Sequence, residues 1–78
     1  FIELVKGSND LKITVDGITS TDSTDTSTLT NDELNITDNT DTLHGDKAEL
    51  YVADATYKSS IKKDEIKTTD GTNEIILN

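Results

Sequence analysis

The sequence contains no cysteine, methionine, tryptophan or arginine, and only three of its 78 residues are aromatic. Without cysteine the chain can form no disulfide and has no thiolate to bind a metal. Large apolar side chains are also scarce, since Val, Ile, Leu and Phe together number 19. A compact globule with so few would be marginal, because its core must offset about 1–2 kcal/mol of backbone entropy per residue. We therefore expect stability to come from regular stacking, from neighbouring chains or from a longer array.

Positive charge is also in short supply. Seven lysines stand against 16 acidic residues, and the formal net charge is −9 at pH 7. Nucleic acids and anionic membranes attract clustered basic side chains, so we expect neither as a partner. No apolar run approaches the length of about 18 residues that spans a membrane, so membrane insertion is not expected. The lack of cysteine fits an exported protein, and it favours an extracellular, cell-surface or virion location.

The residues that are present repeat with a period of 16. The rows are residues 1–16, 17–32, 33–48, 49–64 and 65–78. Positions 2, 4, 11 and 13 of these rows hold 15 of the 19 large apolar residues. Position 6 is aspartate and position 8 is threonine in every row after the first. Because the apolar and the polar positions independently indicate the same period, we interpret residues 1–78 as one repeat domain.

Within each row, apolar residues alternate with polar ones, which predicts β-strands. Residues 11–15 and 50–52 show the alternation most clearly. Between the two apolar pairs of a row lies an Asp-x-Thr-Asn/Asp segment, best preserved at residues 70–73, whose composition is typical of a turn. Each unit is therefore predicted to be a strand, a turn, a second strand and a second turn.

More than one all-β architecture satisfies this pattern. The favoured one is a β-solenoid-like stack, in which each 16-residue unit is one coil and like residues stack about 4.8 Å apart. The alternatives are an antiparallel β-sandwich or meander, in which each unit is a hairpin, and a fibre-type β-spiral. The second row is the poorest copy, and residues 19–32 have a second interpretation as a polar loop rich in Ser, Thr and Asp.

The aspartates at position 6 are the sharpest candidates for a functional site. In a solenoid their carboxylates would lie about 5 Å apart, and such a row of oxygen atoms could bind Ca²⁺, the one cofactor that the sequence suggests. The alternative is that each aspartate closes its own turn and stays solvated. No segment matches an EF-hand loop or the glycine-rich calcium repeat. The candidate metal ligands are Asp22, Asp38, Asp54 and Asp70.

No catalytic constellation is visible. His44 is the only histidine, and beside Gly45 it is interpreted as a turn residue. Asn35 begins an Asn-Ile-Thr sequon, which makes it a candidate N-glycosylation site if the chain is exported. The threonines at position 8 suggest an ice-binding or surface-binding array, which charged residues at position 10 would interrupt. The alternative is that threonine serves turns and strands through its β propensity.

The repeat, the high Thr and Asp content and the lack of catalytic residues predict a non-enzymatic structural protein. An adhesin stalk, a surface fibre, a phage fibre segment or a self-assembling filament subunit would fit. We expect the apolar residues 75–77 to pair with another copy or with neighbouring repeats of a longer chain. The alternatives are a small extracellular module that binds Ca²⁺, a glycan or ice, and an immunoglobulin-like domain.

Overall fold

Ten short strands form one open antiparallel sheet, and the computed structural model describes residues 1–78. Each strand pairs with the next one along the chain, so the sheet is a meander. The strands are β1 (Ile2–Lys6), β2 (Asn9–Thr14), β3 (Gly17–Thr21), β4 (Thr26–Leu29), β5 (Glu33–Thr37), β6 (Thr42–Asp46), β7 (Glu49–Ala53), β8 (Lys58–Lys62), β9 (Ile66–Thr69) and β10 (Glu74–Leu77).

The 16-residue period corresponds to two strands and two turns. Every pair of strands is antiparallel; in one of them Ile36 of β5 lies opposite Leu43 of β6. Each unit is therefore a hairpin, which agrees with the meander alternative. The solenoid is not confirmed, because its coils would pair in parallel and its like residues would lie one strand apart. Here like residues lie two strands apart, and nine inter-strand spacings of about 4.8 Å account for the 43 Å long axis.

The second row of the repeat also forms strands. β3 and β4 pair with each other and with β2 and β5, so they belong fully to the sheet. Only residues 22–25 and 30–32 of this region lie between strands. The interpretation of residues 19–32 as a polar loop is wrong, because threonine has the β propensity to continue the strands without large apolar side chains.

The register gives the sheet one apolar face and one polar face, since successive side chains of a strand point to opposite sides. On the apolar face, one row crosses all ten strands and is interrupted only by a glycine; we call it the aliphatic row. The aliphatic row is Ile2, Ile13, Ile18, Leu29, Leu34, Gly45, Leu50, Ile61, Ile66 and Leu77. The second row on this face, the mixed row, is Leu4, Leu11, Ser20, Ser27, Ile36, Leu43, Val52, Ser59, Thr68 and Ile75.

The sheet is a single layer without an interior. Its extents are 43 × 24 × 9 Å, and no hydrophobic residue is buried. Even near the centre of the apolar face, Leu34 is 41% exposed and Ile36 is 40% exposed. The accessible surface is 5981 Å², whereas a compact protein of this mass exposes about 4,700 Å². The apolar face of the isolated chain is therefore exposed to solvent.

Candidate interaction surfaces

The four predicted metal ligands each close a turn. Oδ1 of Asp38 accepts hydrogen bonds from the backbone N–H groups of Thr40 and Asp41, at 3.1 and 2.8 Å. The carboxylates of Asp22, Asp54 and Asp70 accept the equivalent pairs of bonds in their own turns. In all four residues these backbone hydrogen bonds lower the pKa of the carboxyl group below its usual 3.8, because they stabilise the charged form.

The hairpin arrangement keeps these four carboxylates apart. Equivalent turns are separated by two strands, or about 9.6 Å. No group of three or more carboxylates and imidazoles comes together in an arrangement that could hold a metal ion. The hydrogen bonds agree with the turn-closing alternative, and Ca²⁺ binding at these residues stays a prediction.

The two ends of the strands carry different charges. The loops at one end, residues 7–8, 22–25, 38–41, 54–57 and 70–73, contain no lysine, although Lys6 and Lys58 lie at the strand ends beside two of them. We call this end the acidic side. Its aspartates are Asp22, Asp25, Asp38, Asp41, Asp54 and Asp70. The opposite end, which we call the lysine side, also has carboxylates but carries Lys47 and Lys63 in its loops and Lys62 at the end of β8.

His44 lies in the middle of the polar face and not in a turn, so its interpretation as a turn residue is wrong. It belongs to β6, opposite Asn35 of β5 and Tyr51 of β7. Its Nε2 donates to Oδ2 of Asp46 at 3.0 Å, and its Nδ1 lies 3.0 Å from Oδ1 of Asn35. The His44 and Tyr51 ring centroids are 5.1 Å apart. These contacts tie three adjacent strands together.

Two further residues of this cluster are Asp46 and Asn35, and Asn35 is the predicted glycosylation site. The pKa of Asp46 falls to about 2, chiefly because of the hydrogen bond from His44, and further because two backbone N–H groups of the following turn donate to the same carboxylate. Asn35 lies within a central strand and its side-chain oxygen is engaged by His44. Its glycosylation stays a prediction.

Lysine and carboxylate pairs cover the polar face of β7 to β10. Lys58 Nζ lies 4.3 Å from the centroid of the Tyr51 ring and 3.9 Å from Oε2 of Glu49. Lys67 Nζ lies 2.9 Å from Oε2 of Glu74, and this partner raises the pKa of the Lys67 ammonium group. The charges of this region are therefore matched across strands of the same sheet.

Threonine forms a compact patch on the polar face of β3 to β6, which we call the threonine patch. Its members are Thr19, Thr21, Thr26, Thr28, Thr37 and Thr42. Thr21, Thr26, Thr37 and Thr42 follow one another on four consecutive strands, so neighbours are about 4.8 Å apart. The position-8 threonines lie in turns instead, and the charged position-10 residues lie on other strands. The sequence analysis missed this patch because four of its threonines occupy positions 5 and 10 of the second and third rows, which become neighbours only in the folded sheet.

The apolar face is the largest surface that the chain leaves open. No helix with the length and apolar character needed to cross a membrane is present. No protein-family model, curated protein or solved structure matches the chain. The features of the molecule that bear on its function are therefore the surfaces and edges of the sheet.

Proposed function

We propose that this chain is a non-enzymatic structural repeat that forms an extended β-ribbon in a stalk, surface fibre or filament. One observation carries the proposal: the sheet grows by one hairpin for every 16 residues and has no core. Each further repeat would lengthen the ribbon by about 9.6 Å without disturbing the strands already present.

The contacts that hold the sheet are local, which supports this role. Of the 47 backbone hydrogen bonds, 41 lie within the strand pairs, and every pair joins strands adjacent in sequence. Stability is then close to a sum over neighbouring units, as in other repeat architectures. Such a chain can vary in length without a change in fold.

The partners in this proposal are further strands of the same kind. β1 and β10 each pair on one side only, so their outer edges carry unpaired backbone groups. A strand of another copy or of a neighbouring repeat can complete the hydrogen bonding there. The acidic composition and the lack of cysteine fit an extracellular, cell-surface or virion location, which is part of the proposal.

Small-angle X-ray scattering and electron microscopy over a concentration series test the proposal. We expect the particle length to rise from the 43 Å of one copy by about 48 Å, or ten inter-strand spacings, with each added copy, at unchanged thickness. Particles that remain 43 Å long from micromolar to millimolar concentration would contradict it.

A matched pair of proline variants sharpens this test. The Asp70 N–H donates to the Asn73 carbonyl, and because bonded positions alternate along an antiparallel pair, the Ile75 N–H faces β9 and the Ile76 N–H faces outward. Ile76→Pro should therefore stop elongation while the sheet stays folded. Ile75→Pro should instead disrupt the β9–β10 pairing itself. Unchanged elongation by Ile76→Pro contradicts the use of this edge.

The threonine patch favours a second candidate function, the binding of ice or of another ordered surface. Its hydroxyl and methyl groups lie on a flat sheet with regular spacing between strands. Thermal hysteresis of the wild-type protein is the measurement, with Thr26→Lys expected to abolish it. Ser8→Lys, in the exposed loop between β1 and β2, adds the same charge away from the patch and is the control. No thermal hysteresis in the wild-type protein disposes of ice as the ligand.

A further inference from the structure

We propose that a second copy of this chain covers the apolar face, so that two sheets pack face to face as a sandwich. The inference rests on the proposed structural role and names the partner for a surface other than the strand edges. Elongation uses the edges of β1 and β10, whereas this contact uses the broad face between them. The two contacts are therefore separable by experiment.

The composition of the face selects an apolar partner. The aliphatic row and the mixed row together have twenty positions, and none of them is charged, although charged residues make up 29% of the chain. Fifteen of these positions are Ile, Leu or Val. Apart from Lys6, which lies beyond the mixed row on the edge strand β1, a polar ligand would find no ionic partner on this face, whereas the inner faces of sandwiched sheets have this composition.

The size of the face is sufficient for a stable pair. Its extents of 43 × 24 Å correspond to about 1,000 Å² on each copy, compared with about 800 Å² on each partner in a standard protein interface. Both surfaces are the same flat face, so a two-fold axis makes the contact self-complementary. A closed pair also removes the aliphatic row from water in both copies at once.

Two orientations place the faces together, and the charges at the strand ends distinguish them. A two-fold axis parallel to the strands would place the acidic side of one copy over the acidic side of the other. Loop 38–41 would then face its own equivalent, with Asp38 and Asp41 opposite like charges. An axis along the long dimension instead sets the acidic side over the lysine side.

The second orientation is the one that the charges favour. Both sides are rich in carboxylates, but the two lysines that lie in loops, Lys47 and Lys63, are both on the lysine side, whereas Lys6 and Lys58 lie at strand ends on the acidic side. With equivalent strands facing each other, Lys47 would lie near loops 38–41 and 54–57 of the other copy. Lys62 and Lys63 would lie near loops 54–57 and 70–73. By the two-fold symmetry, these three lysines of each copy lie near acidic loops of the other copy, and the contact between like-charged acidic loops is avoided.

Sedimentation equilibrium combined with small-angle X-ray scattering tests the pairing in the full 78-residue chain. We expect a dimer whose thickness rises from the 9 Å of one sheet to about 20 Å, since packed sheets lie about 10 Å apart. Thickening without lengthening supports the face contact and contradicts elongation, whereas lengthening without thickening does the reverse. A chain that stays monomeric at millimolar concentration overturns the face contact, as does a monomer that binds only to zwitterionic lipid vesicles.

A matched pair of variants on β4 identifies the surface used. Leu29→Lys places a charge in the aliphatic row, and we expect the dimer to dissociate at least tenfold more readily. Thr28→Lys adds the same charge on the polar face of the same strand and should leave the dimer unchanged. Ser27→Leu extends the apolar surface and should tighten the dimer several-fold, which keeps the test informative if Leu29→Lys is unfolded by circular dichroism. Equal effects of Leu29→Lys and Thr28→Lys, or no tightening by Ser27→Leu, overturn the proposal.

A spin label at Asn39 in the acidic loop 38–41 tests the orientation. If the acidic side of one copy lies over the lysine side of the other, the two labels are separated by the 24 Å width of the sheet. If acidic sides face each other, the labels are only about 10 Å apart, the distance between packed sheets. The longer distance supports the proposed axis, and the shorter one overturns it.

Discussion

The two faces of this sheet are built from the same ten strands, but they differ in how far their side chains find partners within the chain. On the polar face, side chains find partners on neighbouring strands: His44 contacts Asn35 and Tyr51, and Lys67 pairs with Glu74. On the apolar face, Ser59 and Thr68 share a hydrogen bond between β8 and β9, but large aliphatic side chains such as Leu34 and Leu50 remain 41% and 46% exposed. The contacts of the polar face therefore stabilise the single sheet. The apolar face would contribute most of its stabilisation only when another surface removes it from water.

The strand β7 shows the contrast within two residues. Tyr51 stacks against His44 and lies beneath the Lys58 ammonium group, so its contacts are made within the chain. Leu50, its neighbour on the apolar face, is 46% exposed and belongs to the aliphatic row. Substituting each of these two residues tests whether the stability that each face contributes depends on association of the chain.

The largest expected effect is that of Leu50→Ala in the assembled protein. If the apolar face is covered, the loss should be about 2–3 kcal/mol, as for a large-to-small change in a core. In the dilute monomer it should be about 1 kcal/mol, because the side chain is only half buried there. Tyr51→Ala should cost about 1 kcal/mol at any concentration, since its contacts lie within one sheet. Urea denaturation at low and high protein concentration measures all three values.

The concentration dependence is the decisive quantity in this experiment. If the loss from Leu50→Ala is the same in dilute and concentrated samples, the aliphatic row is not buried by association. If the loss from Tyr51→Ala grows with concentration instead, the polar face is the one that becomes covered. Either result reverses the assignment of the two faces.

The sequence predicted the strands, the turns and the membership of the apolar face, but it did not identify the pairing. Positions 2, 4, 11 and 13 of the repeat supply all 15 aliphatic residues of that face. A coil and a hairpin give the same period, so the period alone could not separate them. The signal that could have done so is symmetry: position 2 pairs with 13, and 4 with 11, as in a hairpin folded about its turn.

The surfaces were harder to predict because they depend on register. In the threonine patch, position 5 of the second and third rows lies opposite position 10 of the same row, and these positions become neighbours only once the strands are antiparallel. Likewise, His44 sits beside Gly45 and Asp46, which are common turn residues, yet cross-strand contacts with Asn35 and Tyr51 hold it within β6. The aspartates were identified correctly as turn residues, since their hydrogen bonds span only two or three positions.

A smaller effect is expected at the single gap in the aliphatic row. Gly45 lies between Leu34 and Leu50 on the apolar face. A Cβ there would meet Cδ1 of Leu50 at 3.4 Å, and this atom is the flexible end of a side chain that can move aside. We expect Gly45→Val to stabilise the sheet by about 0.5–1 kcal/mol, because valine favours strands and glycine weakens them. Urea denaturation measures the gain.

Gly45→Asp is the control for this substitution. It adds a side chain at the same position but with poor β propensity and a charge on the apolar face, so it should give no gain. A loss of stability in Gly45→Val would show that the Leu50 side chain cannot move aside. The aliphatic row would then be more closely packed in the single sheet than its exposure indicates.

The smallest expected effect concerns acid and the polar face. The pKa of Asp46 is about 2 in the folded protein, below its usual 3.8, so the unfolded chain binds more protons between these values. The stability contributed by this carboxylate is therefore fully present above pH 4 and is lost as the pH falls toward 2. The turn aspartates, with lowered pKa values, act in the same direction.

Thermal unfolding of the wild-type protein and of Asp46→Asn across this pH range tests the effect. The wild-type melting temperature should fall more steeply on acidification than that of Asp46→Asn, and the two should converge near pH 2. Asp64→Asn, in the exposed loop 63–65, should follow the wild-type curve and serves as the control. If Asp46→Asn has the same acid dependence as the wild-type protein, the hydrogen bonds to this carboxylate do not stabilise the sheet. The polar face would then depend on its ring and lysine contacts, which protonation of Asp46 leaves in place.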